Sequence, residues 1–175
     1  MKSDLETLAI IHYPDPRLRQ VCRPVTKFDG HLAELVGRMR QLMHDGKGVG
    51  LAAPQVGSPL RLFVMNSTDD PQNDLVFVNP VIRGRSGSAE AEEGCLSLPG
   101  VNVNVRRAKR CQIEAQDLQG NPVILEGEDL LCRVWQHETD HLDGVLIIDR
   151  MGPTDKIAMR KTLRALEEGY ADTRK

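Results

Sequence analysis

The 175-residue sequence predicts an α+β fold, with antiparallel or mixed β-sheets packed around a central helix, one helix before the strands and one after them. Three observations support this. A helical apolar stripe comes first, short strand-like segments follow, and the helical period returns from about residue 129. The order does not alternate strand and helix, as a parallel sheet requires. No linker divides the chain, so a single domain over 1–175 is expected.

The first helix is predicted over about 31–45. Its apolar residues recur at helical spacing, and Asp29 precedes them as a candidate N-cap. Gly46 and Gly48 follow the last apolar residue and are expected to end the helix. The apolar stripe consists of Leu32, Leu35, Val36, Met39, Leu42 and Met43.

The strands are predicted from four segments. "LRLFVMN" and "LVFVNPVI" are apolar runs typical of buried strands, whereas "VNVNV" and "RCQIEAQ" alternate apolar and polar residues. A turn at "LQGNP" leads to "VIL". The polar stretch "RGRSGSAEAEEG" is expected to be a loop.

Two helices are predicted after the strands. One covers about 129–142, and the last follows "DKIAMRKTLRALEEGY". Thr154 is the candidate N-cap of this last helix, and Ile157, Leu163 and Leu166 are expected to face inward.

Composition excludes several classes of protein. Hydrophobic residues make up 40% and charged residues 27%, which is typical of soluble globular domains. The formal net charge of -2 argues against nucleic-acid binding through phosphate attraction. No apolar run approaches the roughly 18 residues that span a bilayer, and the N-terminal stretch lacks the apolar region of a signal peptide. The 4 cysteines show no disulfide-like spacing, so reduced thiols in a cytosol are expected.

The segment "QHETDHLDG" carries a candidate metal site. His137 and His141 lie one helical turn apart and therefore face the same side, close enough to bind one ion. Glu138 lies about 60–100° further round the helix, where it can reach a water molecule on that ion but is not a natural third ligand. Leu130 and Val134 share the histidine face, so an apolar wall beside the ion is expected.

The residue pattern alone leaves alternatives open. The histidines can belong to an ordinary polar helix, to a structural metal site or to a degenerate binding module. A metalloprotease with Glu167 or Glu168 as third ligand is another possibility, although "HLDGVLIIDR" lacks the usual downstream histidine. Cys95, in the tight loop "EEGCLSLPG", is the better candidate because a thiolate is a soft ligand. Otherwise Cys95 is a buried free thiol, which is common.

Three motifs together resemble the peptide deformylase family. "GVGLAAPQ", "EGCLS" and "QHETDHLDG" match the motifs of that family in order and spacing, and "YPDPRLR" is also family-like. The resemblance covers about 9–168. The chain departs from it at "VRR" (Val105 to Arg107), where many relatives carry a proline before the arginine, so the path of this segment is left open.

The resemblance implies a metal-dependent hydrolase that removes the formyl group from the N-terminal formyl-methionine of newly synthesised proteins and releases formate. Cys95, His137 and His141 would bind the ion. Water on that ion would attack the formyl carbonyl, with Glu138 as general base and then general acid. In this family the native ion is usually Fe(II), with Zn, Ni or Co as substitutes.

The resemblance also implies how the substrate is held. Gln55 and the backbone N–H of Leu96 would face the substrate oxygen and stabilise its developing charge. Arg133 lies at the margin of the histidine face; its stem is expected to border the methionine slot and its charge to meet solvent or the peptide. The remaining candidate substrate-binding residues are Val49, Gly50, Gly94, Leu130 and Val134.

The expected partners follow from the same resemblance. They are N-formylmethionyl nascent peptides in the bacterial cytoplasm, with no membrane association and no direct sequence-specific nucleic-acid binding. Some relatives use the C-terminal end to approach the ribosome, and a solvated terminal helix is an equally good interpretation of the charged segment here.

Overall fold

The computed structural model describes residues 4–68 and 70–172. The two ends of the predicted domain, 1–3 and 173–175, lie outside the described residues. The described chain places one helix before the strands and three after them. The elements are α1 (Gly30–Asp45), β1 (Gly50–Ala52), β2 (Leu62–Met65), β3 (Leu75–Ser86), β4 (Ala89–Gly94), β5 (Asn102–Arg107), β6 (Arg110–Gln116), β7 (Pro122–Glu128), α2 (Asp129–Leu142), α3 (Pro153–Ala158) and α4 (Arg160–Asp172).

The strands form two antiparallel sheets. Five strands are ordered β1-β2-β3-β6-β7, and β4 pairs with β5 as a separate hairpin. Helix α2 packs against every strand of the larger sheet and is therefore the central helix of the fold. Strand β1 is an edge strand whose partner in the sheet is β2. The predicted α+β architecture is confirmed.

Helix α1 forms where the apolar stripe predicts it. The side chain of Asp29 accepts a hydrogen bond from the Leu32 backbone N at 3.1 Å, which satisfies one of the free donors of the first turn. Gly46 occupies the C-cap. The predicted stripe is buried against β1 and β2, except for the half-buried Leu42.

Trp135 on α2 packs against a pair of phenylalanine rings of the larger sheet. The rings of Trp135 and Phe77 meet edge to face with centroids 6.0 Å apart, and Phe77 stacks on Phe63 at 5.0 Å. The indole Nε1 of Trp135 donates to the Met65 Sδ at 3.1 Å. This cluster fixes α2 on the larger sheet and so fixes the position of the two histidines.

The prediction that "RGRSGSAEAEEG" is a loop is wrong. Strand β3 continues through Ser86, and most of the rest of the segment forms β4. Both stretches are largely exposed and polar. Backbone hydrogen bonds to β6 and β5, and not buried side chains, keep them in the strand conformation. Hydrophobic periodicity therefore carries no signal for them. The "VRR" segment is regular: it ends β5, where Val105 pairs with Ala91.

The last predicted helix is two helices, interrupted at Met159. Thr154 is not its N-cap, because Gly152 holds that position and Pro153 starts α3, where its missing N–H costs nothing. Ile157 is 69% exposed, contrary to the prediction. Leu163 and Leu166 pack against the core as predicted. Among the described residues, no helix combines the length and the apolar character that crossing a membrane requires.

Candidate active site

Two elements bring the three candidate metal ligands together. Helix α2 carries His137 and His141 one turn apart, and Cys95 follows the last residue of β4. The Nε2 atoms of the two histidines are 3.2 Å apart, and the Cys95 Sγ lies 3.3 Å from the His141 Nε2. Within the described chain, these three residues form the group of His, Cys, Asp or Glu side chains that could hold a metal ion.

The donor set fits a divalent metal ion in chemistry and size. With bonds of about 2.05 Å to nitrogen and about 2.3 Å to sulfur, a tetrahedral Zn²⁺ holds ligand atoms about 3.4 Å (N···N) and about 3.6 Å (S···N) apart. The observed separations of 3.2 and 3.3 Å are close to these values. Burial and the neighbouring His137 lower the pKa of His141 well below its usual range.

Glu138 is a buried carboxyl beside these ligands. It is 4% exposed, and its Oε2 has no hydrogen-bond partner among the described residues. Burial raises the pKa of Glu138 to about 7, so this carboxyl can gain and lose a proton near neutral pH. The side chain fits here because residue 50 is glycine: a Cβ on Gly50 would lie 2.8 Å from the Glu138 Cδ.

Gln55 joins the first motif to the second. Its Oε1 accepts from the Ala52 backbone N at 2.8 Å, which fixes the orientation of the amide. Its Nε2 donates to the Ser97 Oγ at 3.1 Å and lies 3.5 Å from the Cys95 Sγ. The Gln55 amide nitrogen is therefore shared between the Ser97 hydroxyl and the Cys95 sulfur. Leu96 follows Cys95 and is half-buried.

A cavity of about 390 Å³ opens beside the ligands. Val134 forms a buried part of its wall, whereas Val49 and Leu130 are 46% and 51% exposed and are available to a ligand. Apart from the buried His141, every residue to which the resemblance assigns a role lines this cavity: Val49, Gly50, Gln55, Gly94, Cys95, Leu96, Leu130, Val134, His137 and Glu138. The apolar wall expected from the helical positions is present.

Glu93 contacts the candidate ligand His137, a role that the sequence did not predict. Its Oε2 accepts from the Nδ1 of His137 at 2.9 Å, which leaves the His137 Nε2 facing His141 and Cys95. Arg107 donates to both Glu93 carboxylate oxygens, at 2.6 and 2.9 Å. Burial alone would raise the pKa of Glu93, but the bonds from His137 and Arg107 outweigh it and hold that pKa well below its usual range. In the sequence, the one feature that pointed to a role for Glu93 is its position as the first residue of "EGCLS".

The structure corrects the expectation for Arg133. Arg133 lines the cavity, but its side chain is largely buried and its guanidinium pairs with a carboxylate of the protein. The side chain is 13% exposed, and its Nη1 donates to the Glu93 Oε1 at 2.7 Å. The charge is compensated by the buried Glu93 carboxylate instead of by solvent.

Both candidate third ligands of the metalloprotease alternative contact other residues. Glu167 accepts a hydrogen bond from the Tyr13 hydroxyl at 2.5 Å, and Glu168 pairs with Arg164 at 2.8 Å, both on α4. Neither belongs to the metal-ligand group described above. Cys132, also on α2, is buried and donates to the Ala108 carbonyl at 3.3 Å, and it does not belong to this group either.

Comparisons with known proteins agree on one family. The family model described as "Polypeptide deformylase" matches residues 7–157. A peptide deformylase of Acidobacterium capsulatum is 42% identical over 160 residues, covering 90% of this chain and 94% of the relative. One from Acidothermus cellulolyticus is 49% identical, covering 85% of this chain and 81% of the relative.

Solved structures give the same answer. The crystal structure of a peptide deformylase from Legionella pneumophila has a TM-score of 0.87 and 41% identity, covering 94% of this chain and 97% of that one. A peptide deformylase from Plasmodium falciparum has a TM-score of 0.92 and 37% identity, covering 95% and 99%.

Proposed function

The chain belongs to the peptide deformylase family, and we propose that Cys95, His137 and His141 form its metal centre. The protein is a metal-dependent hydrolase that removes the formyl group from the N-terminal formyl-methionine of newly synthesised proteins and releases formate. The convergence of one thiol and two imidazoles within 4.8 Å is the observation that carries the proposed ligand set.

A divalent ion held by these residues would supply a Lewis acid and would lower the pKa of a water molecule. Glu138 is placed to take a proton from the attacking water as general base and to deliver it, as general acid, to the departing amine nitrogen. The unpartnered Oε2 of Glu138, its burial and a pKa raised to about 7 by burial support this role. Because carboxylate and acid forms are both accessible near neutral pH, one residue can serve both steps.

The amide of Gln55 and the backbone N–H of Leu96 are proposed to stabilise the charge that develops on the formyl oxygen. The bond from Ala52 to the Gln55 Oε1 supports this proposal, since it turns the Nε2 donor toward Cys95. Donors fixed before the reaction need no reorganisation when the charge forms. Glu93 is proposed to hold His137 in the tautomer whose Nε2 is free to bind the ion.

The substrate is proposed to bind along the cavity beside β1. The free edge of β1 supports main-chain hydrogen bonds from an extended peptide at Val49 and Gly50. Gly94, Leu130 and Val134 would then line the slot for the methionine side chain. An apolar slot distinguishes side chains weakly, so tolerance of other apolar first residues is expected.

A Glu138→Gln variant tests this mechanism. We expect kcat for formate release from formyl-Met-Ala-Ser to fall about 10²- to 10⁴-fold, because the amide cannot accept the proton. KM and the metal content are expected to stay near the wild-type values, because Glu138 is not a ligand. Wild-type kcat in a fully loaded variant would refute the role of Glu138, and a loaded wild-type protein that releases no formate would refute the function.

We propose Fe(II) as the native ion, with Zn, Ni or Co as substitutes. The set of one thiolate and two imidazoles supports a soft or borderline ion and does not distinguish among these four. Metal analysis of protein prepared anaerobically, with activity followed on exposure to air, tests the proposal. Native protein that holds zinc and keeps its activity in air would contradict it.

We also propose that 1–175 acts as one catalytic domain in the bacterial cytoplasm, on N-formylmethionyl nascent peptides. The match over 7–157 and the bacterial relatives support this. The exposed basic residues Arg160, Lys161 and Arg164 near the start of α4 are the proposed ribosome contact. Co-sedimentation with ribosomes that persists after charge reversal at these positions would contradict that contact. Recovery of the protein outside the cytoplasmic fraction of the cell would contradict the proposed location.

A further inference from the structure

Arg133 makes contacts that lining the cavity does not explain. From α2 its Nη1 donates to the Glu93 Oε1 at 2.7 Å and to the Val105 carbonyl at 2.8 Å, and its Nη2 donates to the Ala89 carbonyl at 2.9 Å. Ala89 and Glu93 lie on β4, and Val105 lies on β5. One side chain of the helix therefore contacts the β4–β5 hairpin at both of its strands.

We propose that Arg133 is a positioning residue that holds the β4–β5 hairpin, and with it Cys95, against the helix that carries His137 and His141. This inference rests on the proposed ligand set. The two histidines need no such device, because one helical turn fixes their spacing. Cys95 lies in the segment that joins β4 to β5, so its distance from the histidines depends on how the hairpin docks on α2.

Two of the polar links between hairpin and helix, from Arg133 and from His137, meet at one buried carboxylate. Glu93 is 7% exposed and accepts from Arg107, Arg133 and His137. Arg107 also donates to Asp140 at 2.8 Å, so its charge is shared between two carboxylates. Arg133 supplies the second positive charge at Glu93, and removing it leaves a buried carboxylate with weaker compensation.

The side chain must be arginine for this role. Its three acceptors are one carboxylate oxygen and two main-chain carbonyls on two strands, and the planar guanidinium fork can reach all three at once. A lysine ammonium keeps the charge but lacks the fork. Arg133 also lines the cavity, as does Val134 one position along α2. A methionine at position 133 keeps most of the stem and removes the guanidinium.

The experiment compares R133M and R133K with wild type and with R106M. Arg106 is a matched control because it lies on β5, its side chain is 72% exposed, and it pairs with Glu90 within the hairpin, not with α2. Each protein is loaded with Co²⁺. The visible absorption of the cobalt–thiolate centre and the rate of Co²⁺ loss to a chelator are recorded, together with kcat and KM. Circular dichroism checks that each variant is folded.

We expect R133M to lose Co²⁺ about 10- to 100-fold faster than wild type and to show an altered cobalt–thiolate spectrum. Its kcat should fall while its KM stays near the wild-type value, because methionine keeps most of the stem. R133K should lie between R133M and wild type, and R106M should match wild type in both metal readouts.

A wild-type spectrum and rate of Co²⁺ loss in folded R133M would overturn the inference. If R133M does not fold, R133K decides: faster Co²⁺ loss supports the positioning role, and unchanged metal readouts overturn it. Failure of the proposed ligand set looks different, because the wild-type protein itself would then show no cobalt–thiolate absorption.

Discussion

Replacing Gly50 by alanine should displace the proposed general base while leaving the metal ligands in place. A Cβ at position 50 would lie 2.8 Å from the Cδ and 3.0 Å from the Cγ of Glu138. Carbon atoms pack at about 3.5–4.0 Å, so the Glu138 carboxyl has to move by about 0.7 Å or more. A misplacement of about 1 Å at a reacting group costs on the order of 10²-fold in rate, or about 2.7 kcal/mol of barrier.

The assay is kcat/KM for formate release from formyl-Met-Ala-Ser, with metal content measured on the same samples. We expect G50A to lose about 10²-fold in kcat/KM and to keep its metal. G37A is the matched control, since a Cβ on Gly37 in α1 meets nothing within 4 Å and alanine suits a helix. Wild-type activity in metal-loaded G50A would refute the argument that Glu138 must stand against residue 50 to act.

Two further predictions concern Tyr13 and Cys95. Partial burial and the hydrogen bond to Glu167 raise the pKa of Tyr13 to about 12, so its contribution to stability is present below about pH 10 and is lost as the pH rises from about 10 to 12. Near-ultraviolet titration of a Tyr170→Phe variant, in which Tyr13 is the remaining tyrosine, should show this midpoint, and a midpoint near 10 would contradict it. Removing the metal with a chelator should make the half-exposed Cys95 react with iodoacetamide before Cys22, whose thiol has a pKa raised to about 11 by burial. Equal labelling of Cys95 with and without the chelator would argue against its role as a ligand.

Helical geometry explains why much of the site could be predicted from the sequence. The spacing of His137 and His141 places both imidazoles on one face of any helix, whatever the rest of the chain does. Val134 shares that face through the same periodicity, and it lines the cavity beside the ligands. Cys95 could not be found in this way, because its approach to the helix depends on tertiary structure. Its tight loop and its thiol made it a candidate, and the resemblance of "EGCLS" to a known motif then gave it the role of third ligand.

The errors in the last helix have a different cause. The periodicity of "DKIAMRKTLRALEEGY" is helical throughout, so the sequence alone gave no sign of the interruption at Met159. Ile157 falls on α3, whose six residues leave it exposed, whereas Leu163 on α4 packs against the core. Burial of an apolar side chain at a helix end depends on what the fold places opposite it, which local patterns do not encode.

The sequence predicted neither strand β4 nor the role of Glu93 at the proposed metal site, and both errors have the same cause. Strand β4 has a single buried side chain, and that side chain is the carboxylate of Glu93. A strand that buries a charge shows no alternation of apolar and polar residues, so the segment reads as a loop. Such a charge is stable only when partners from other elements reach it, as Arg107 and Arg133 do. The feature that hides β4 from sequence analysis is therefore the one that ties Cys95 to the helix carrying both histidines.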